Sequence, residues 1–282
     1  MKIDVALKVH IERAFAPLNS QAAANAFPSP RSLSLTLEKA SHAGTSSVLP
    51  SAKTPPVVRM FTTAAVDMWL RAVHSFLIST ALTNISPIWA SATGYYSSHY
   101  AVRSIAHLLG FFQMHRIKKI VRLELQNGVF VCSLEQKKSV DREHKFYWGI
   151  VKACSLFSAD PFFTNNIGDE SDVAHRDIAN YADHLAAFPA FRPLNENDVK
   201  RRIRKISEIE VKAPPIPQRD TYPDIDSVQI VAYHRLVRFR DLVDAVVVGN
   251  RFWKVYRDPT WARQFMDFQV TEEATLRSAF TA

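Results

Sequence analysis

Two stretches of the chain place groups that can move a proton beside groups that can hold phosphate. In AHRDIANYADH, residues 174–184, Arg176, Asn180 and His184 recur every four residues. In YYSSHYAVRSIAHLLGF, residues 95–111, Tyr96 is followed by His99, Arg103 and His107, the last three again four apart. Four residues are close to one helical turn, so each set forms a row on one helix face. An imidazole with an ordinary pKa of about 6.5 exchanges its proton near neutral pH. A guanidinium offers a planar fork of donors that matches phosphate oxygens. Together they suit metal-independent RNA cleavage, with His184 or His107 as acid and base and Arg176 and Arg103 holding the phosphate. They suit equally the binding of a nucleotide without cleavage. Tyr96, His99, Asn180 and Tyr181 are the candidate contacts to nucleotide or RNA on these rows, with Arg116, Lys118 and Lys119 as further cationic candidates.

A structural reading stands beside the chemical one. Asp172 lies four residues before Arg176, the spacing of an ordinary surface ion pair. His99 and His107 can be core histidines bonded to backbone carbonyls. A buried Arg103 needs compensation, and Glu170, Asp172, Asp177 or Asp183 would supply it across a groove between helices. Asp172, His175 and His184 do not follow a known ligand spacing, so no metal is expected. No P-loop, GxGxxG, GxSxG or HExxH occurs, and no cofactor is expected. Three basic groups, MHRIKKIVR, VKRRIRKISE and YHRLVRFR, read as solvated faces or as tracks for a phosphate backbone. In the last, Asp241 and Asp244 lie close enough to offset Arg238 and Arg240. Tyr95, Tyr147 and Trp148 would stack on bases or sit in a core.

The elements that must carry these groups are mostly helical. With 282 residues and 47% hydrophobic content the chain can bury a real core in one or two domains. Gly is scarce, at 7, which argues against a Gly-rich all-β protein. Two cysteines, Cys132 and Cys154, cannot build a disulfide framework and fit a reducing compartment. Charged residues interrupt the N-terminus and the apolar run from Phe61 to Leu82, so a signal peptide and a membrane span are not expected. The expected location is cytoplasmic, with no membrane partner. The net charge of +8 and a pI near 9.5 favour polyanionic partners.

Ile3, Val5, Leu7, Val9 and Ile11 alternate, which predicts a strand, and SLSLTL at 32–37 predicts another. Residues 1–57 therefore read as a strand-bearing arm and linker. Helical spacing begins near Arg59, and a second helix opens at Ser86-Pro87 with Ser as cap and Pro at the first helical position. Asn127-Gly128, between two β-rich runs, predicts a hairpin over 117–135. Further helices are expected near 145–157, 170–185, 199–210, 227–248 and 261–268.

The 95–111 stretch resembles the central-helix pattern of HEPN (higher eukaryotes and prokaryotes nucleotide-binding) domains, with its Tyr-Tyr run, His and Leu-rich end. HRDIANYADH is similar to their later helix. The resemblance spans about residues 60–190. It implies a helical bundle at 58–190, here with an inserted hairpin and a helical C-terminal extension at 191–282. It also implies frequent dimerisation, association with RNA or nucleotides, and a setting in bacterial defence or toxin–antitoxin systems. Active members of the family cut RNA with an Arg followed by a His after four to six residues. Here three residues separate Arg103 from His107 and seven separate Arg176 from His184, on either side of that spacing. The expected protein is thus mainly α and RNA- or nucleotide-associating, with endoribonuclease activity open. The alternative is a non-catalytic scaffold subunit whose arm and C-terminal helices dock a protein partner or a second copy.

Overall fold

A computed structural model describes residues 3–19, 48, 54–114, 119–136, 143–164, 196–208 and 225–258. These residues are mainly helical, with one small antiparallel sheet. In chain order the elements are α1 (Val5–Phe15), α2 (Thr54–Leu82), α3 (Pro87–Leu108), β1 (Phe111–Met114), β2 (Lys119–Gln126) and β3 (Val129–Gln136). They continue with α4 (Glu143–Ala153), α5 (Pro161–Thr164), α6 (Glu196–Ser207), α7 (Ile225–Val246) and α8 (Arg251–Asp258). They group into two compact units that interleave along the chain. One draws on Met1–Met68, Val102–Ser158 and Asp241–Val255, the other on Trp69–Ala101, Ala159–Arg240 and Tyr256–Ala282.

In the first unit the N-terminal residues expected to form a strand form α1 instead. Asp4 caps it by accepting from the Ala6 amide at 2.6 Å, and Lys8 faces Glu12 one turn on. Its buried residues are His10, Ile11, Ala14 and Phe15, a helical spacing, while Val5 is exposed. The alternation of Val5, Leu7 and Val9 was a poor guide because the surface that α1 packs on selects a different set. Ala14 joins Val57, Val58 and Phe61 of α2 against Met114, Val121, Leu123, Cys132 and Leu134 of the sheet. Pro55 and Pro56 fit the first turn of α2, where no intrahelical amide bond is lost. Thr62 donates to the carbonyls of Val58 and Ala14, both at 3.0 Å, so a buried hydroxyl ties α1 to α2.

The sheet runs β1-β2-β3, all antiparallel. The Asn127-Gly128 turn has φ of +49° and +79°, as a two-residue hairpin requires. β1 was not expected: FFQM is too short to show a period. Along β2, Val121 and Leu123 face the core, while Arg122 pairs with Glu124 and lies 3.7 Å from Glu135.

In the second unit α3 passes close to α7. A methyl group on Gly94 would stand 2.8 Å from Val228 and 3.0 Å from the Ser79 hydroxyl. α3 begins at Pro87, and the Ser86 carbonyl accepts from Ala90 at 2.9 Å. The Ser86 hydroxyl makes no hydrogen bond among the described residues, so the cap works through the backbone rather than the side chain. Trp69 is fully buried, donates to the Leu236 carbonyl at 3.0 Å and stacks on Phe239 with centroids 6.1 Å apart. The basic run VKRRIRKIS is helical as expected. It buries Val199, Ile203 and Ile206 and leaves Arg201, Arg204 and Lys205 exposed. The run YHRLVRFR is not the solvated face expected of it. Arg235 is wholly buried, and Arg238 pairs with Asp160 at 2.7 Å. The strand expected at 32–37, and the helices at 170–185 and 261–268, lie outside the described residues.

Candidate nucleic-acid interface

α3 carries one row of side chains through Trp89, Thr93, Tyr96 and Tyr100, spaced by four, three and four residues. The row continues to Arg103 and His107, which belong to the first unit. Within the second unit it is open: Trp89 is 57% and Tyr96 37% exposed. The Tyr96 and Tyr100 rings stack, with centroids 6.1 Å apart and planes 29° from parallel. Tyr100 also borders a cleft of about 370 Å³ formed with Leu70, Arg71, His74 and Ser75 of α2. Arg71 and His74 are both exposed. An aromatic face, a guanidinium and an imidazole therefore border one surface of the second unit. This combination can stack a planar ring and hold an anion beside it.

The other residues singled out on α3 turn inward. His99 is 3% exposed and stacks on Tyr95 with planes 1° from parallel. Tyr95, Tyr147 and Trp148 are core residues and offer no face to a base. In the first unit Arg103 lies over the Tyr147 ring, 5.0 Å from its centroid. His107 is 1% exposed and packs against Tyr147 and Phe112. Its Nδ1 lies 2.9 Å from the Phe111 carbonyl, which can only accept, so Nδ1 carries the proton. Burial, reinforced by the Arg103 charge, pushes the ring down to about 3. At neutral pH His107 is uncharged, and its ring is enclosed rather than open to a substrate. It clamps the end of α3 to the start of β1. Lys119 stands at the first position of β2. Arg116, Lys118, Arg176, Asn180, Tyr181 and His184 lie outside the described residues.

Burial also lowers His10, whose hydrogen bond to the Leu108 backbone partly offsets the effect. Unfolded imidazoles take up protons below about pH 6.5, while the folded ones resist until lower pH. Stability from these groups is complete above about pH 6.5 and falls as the pH drops toward about 3, the His107 value. The urea midpoint is expected to fall below pH 6 with a slope contribution of roughly 1 kcal/mol per pH unit from His107. His107→Gln should flatten that fall. Parallel curves for the two proteins between pH 6.5 and 4 would mean the ring is not enclosed.

Burial raises both thiols, Cys132 to about 12. Neither is a thiolate nucleophile at neutral pH. Among the described residues no group of three or more His, Cys, Asp or Glu side chains could hold a metal ion. No described helix is long and apolar enough to cross a membrane. Sequence reasoning missed Trp89, Arg71 and His74. The first was readable as the start of the Trp89–Thr93–Tyr96–Tyr100 row. The other two needed α2 and α3 side by side. Protein-family models, curated proteins and solved structures yield no match to this chain.

Proposed function

We propose that this chain is an RNA- or nucleotide-associating module, HEPN-like in its helical body, that binds through the exposed surface of its second unit. The observation that carries the reading is the cleft where Arg71, His74 and Tyr100 meet, with Tyr96 stacked on Tyr100 at its edge. The net charge of +8 supports it, as does the exposed basic face of α6. The reading is one of binding. The described half of the expected Arg/His machinery is Arg103 against Tyr147 and a neutral, enclosed His107, an arrangement that supports structure rather than proton transfer.

Titration of labelled total RNA and of a labelled mononucleotide into the purified chain tests this. Binding at about 50 mM salt that weakens by roughly tenfold or more at 200 mM is the expected result. Arg71→Ala should reduce it. Absence of binding to either probe at low salt would sink the reading and leave the scaffold alternative, in which the arm and C-terminal helices dock a partner.

A further inference from the structure

We infer that the exposed row on α3 is a stacking platform for single-stranded nucleic acid, one base to each of Trp89, Tyr96 and Tyr100. This rests on the reading just given and narrows it. At 100° and 1.5 Å per residue, the three residues fall within about 20° of one line and span about 17 Å along the helix. That is a track for a short strand rather than a pocket for one base. Every base has a π-face, and a single strand can turn several such faces outward in sequence. In a duplex those faces are covered by neighbouring base pairs, so a duplex meets only the cations.

The platform is held in place from behind. The Ser97 hydroxyl donates to the Ala72 carbonyl at 2.7 Å, and the Ser79 hydroxyl donates to the Ala90 carbonyl at 2.6 Å. Gly94 admits Val228 at close range. Between Trp89 and Tyr96 the Thr93 hydroxyl is turned onto the Trp89 carbonyl at 2.6 Å. The rings thus stand on a fixed backbone and lose little freedom on binding.

A guanidinium borders the Tyr100 end. Arg71 stands there beside the His74 imidazole. At the other end, a relay of hydrogen bonds leads from α6 to the turn that carries Trp89. Arg202 of α6 is paired with Asp226 and donates to Gln229 at 2.6 Å, Gln229 donates to Ser79 at 2.9 Å, and Ser79 to the Ala90 carbonyl, so the relay braces the Trp89 turn while its arginine is neutralised. An aromatic row with a guanidinium at one end complements a strand whose phosphates flank its bases. An apolar protein surface would make no use of that guanidinium.

The test compares binding of a labelled mixed-sequence 12-mer RNA, single-stranded and annealed to its complement, at about 50 mM salt, using the wild-type chain, Trp89→Ala, Trp89→Phe and Tyr96→Ala. The single strand is expected to bind at least tenfold tighter than the duplex. Each alanine variant should weaken single-strand binding by about tenfold and leave duplex binding unchanged, and Trp89→Phe should restore most of the loss. Both residues are exposed, so thermal melts should match the wild type. Equal binding of the two forms, or alanine variants that bind the single strand normally, would overturn the platform, leave association through charge alone and make a protein partner the remaining role for the row. Binding of neither form would remove the preceding reading and this one together.

Discussion

Arg235→Ala is expected to lower the unfolding free energy by about 3–5 kcal/mol, a drop of roughly 10 °C in Tm. The side chain is 0% exposed. Its Nε donates to the Phe162 carbonyl at 2.8 Å, its Nη1 donates to the Ser98 hydroxyl, and its guanidinium lies 5.9 Å from the Phe163 ring centroid. One side chain thus ties α7 to α5 and α3 inside the second unit. Alanine leaves a cavity the size of the side chain, and a carbonyl and a hydroxyl that each lose the donor Arg235 supplied. Each orphaned polar group costs about 1–3 kcal/mol and the lost packing adds to that. Arg235→Met separates the two effects. It restores most of the volume without the hydrogen bonds, and its expected cost is about half that of alanine. Thermal and urea melts of the three proteins measure this. An alanine variant within about 1 kcal/mol of wild type would show that the guanidinium is not enclosed.

Arg235 also shows where sequence reasoning stopped. A run of Arg and His normally marks a solvated face, and nothing local in YHRLVRFR says otherwise. The groups that satisfy Arg235 come from Phe162 and Ser98, distant in the chain, so its burial is a property of packing alone. α1 failed for a related reason: its alternation was real, yet Asp4 as cap and the Lys8–Glu12 spacing were the better local signals, and α2 and the sheet chose which face to bury. The hairpin and the start of α3 were legible because their causes are local. Asn127-Gly128 tolerates two positive φ angles, and Pro87 fits a first turn. In the candidate site Tyr96 could be read from α3 alone. Arg71 and His74 could not, since their role depends on α2 lying beside Tyr100. His99 and His107 could be read from the sequence as reactive or as core residues, and in the structure both rings are buried.

Gly110→Ala should be the most damaging of the glycine substitutions at positive φ, costing about 3 kcal/mol or more. Gly110, Gly128 and Gly249 have nearly the same φ, +86°, +79° and +80°. A side chain in that region costs about 1–2 kcal/mol by itself. What separates the three is what the new methyl group meets. At Gly249 nothing lies within 4 Å, and at Gly128 the nearest group is the Arg13 guanidinium at 3.3 Å, which ends a flexible side chain. At Gly110 it would stand 2.2 Å from the Leu123 carbonyl oxygen, which is backbone and cannot turn aside. Relief requires α3's end to move off β2. That strains the Leu123 amide bond to the Gly110 carbonyl at 2.8 Å and the His107 bond to Phe111 at 2.9 Å. Gly110→Ala is thus expected to cost at least twice as much as Gly128→Ala or Gly249→Ala in the same urea titration. Equal costs for all three would mean that φ alone governs them. The close passage of α3's end over β2, on which His107 as a clamp depends, would then be wrong.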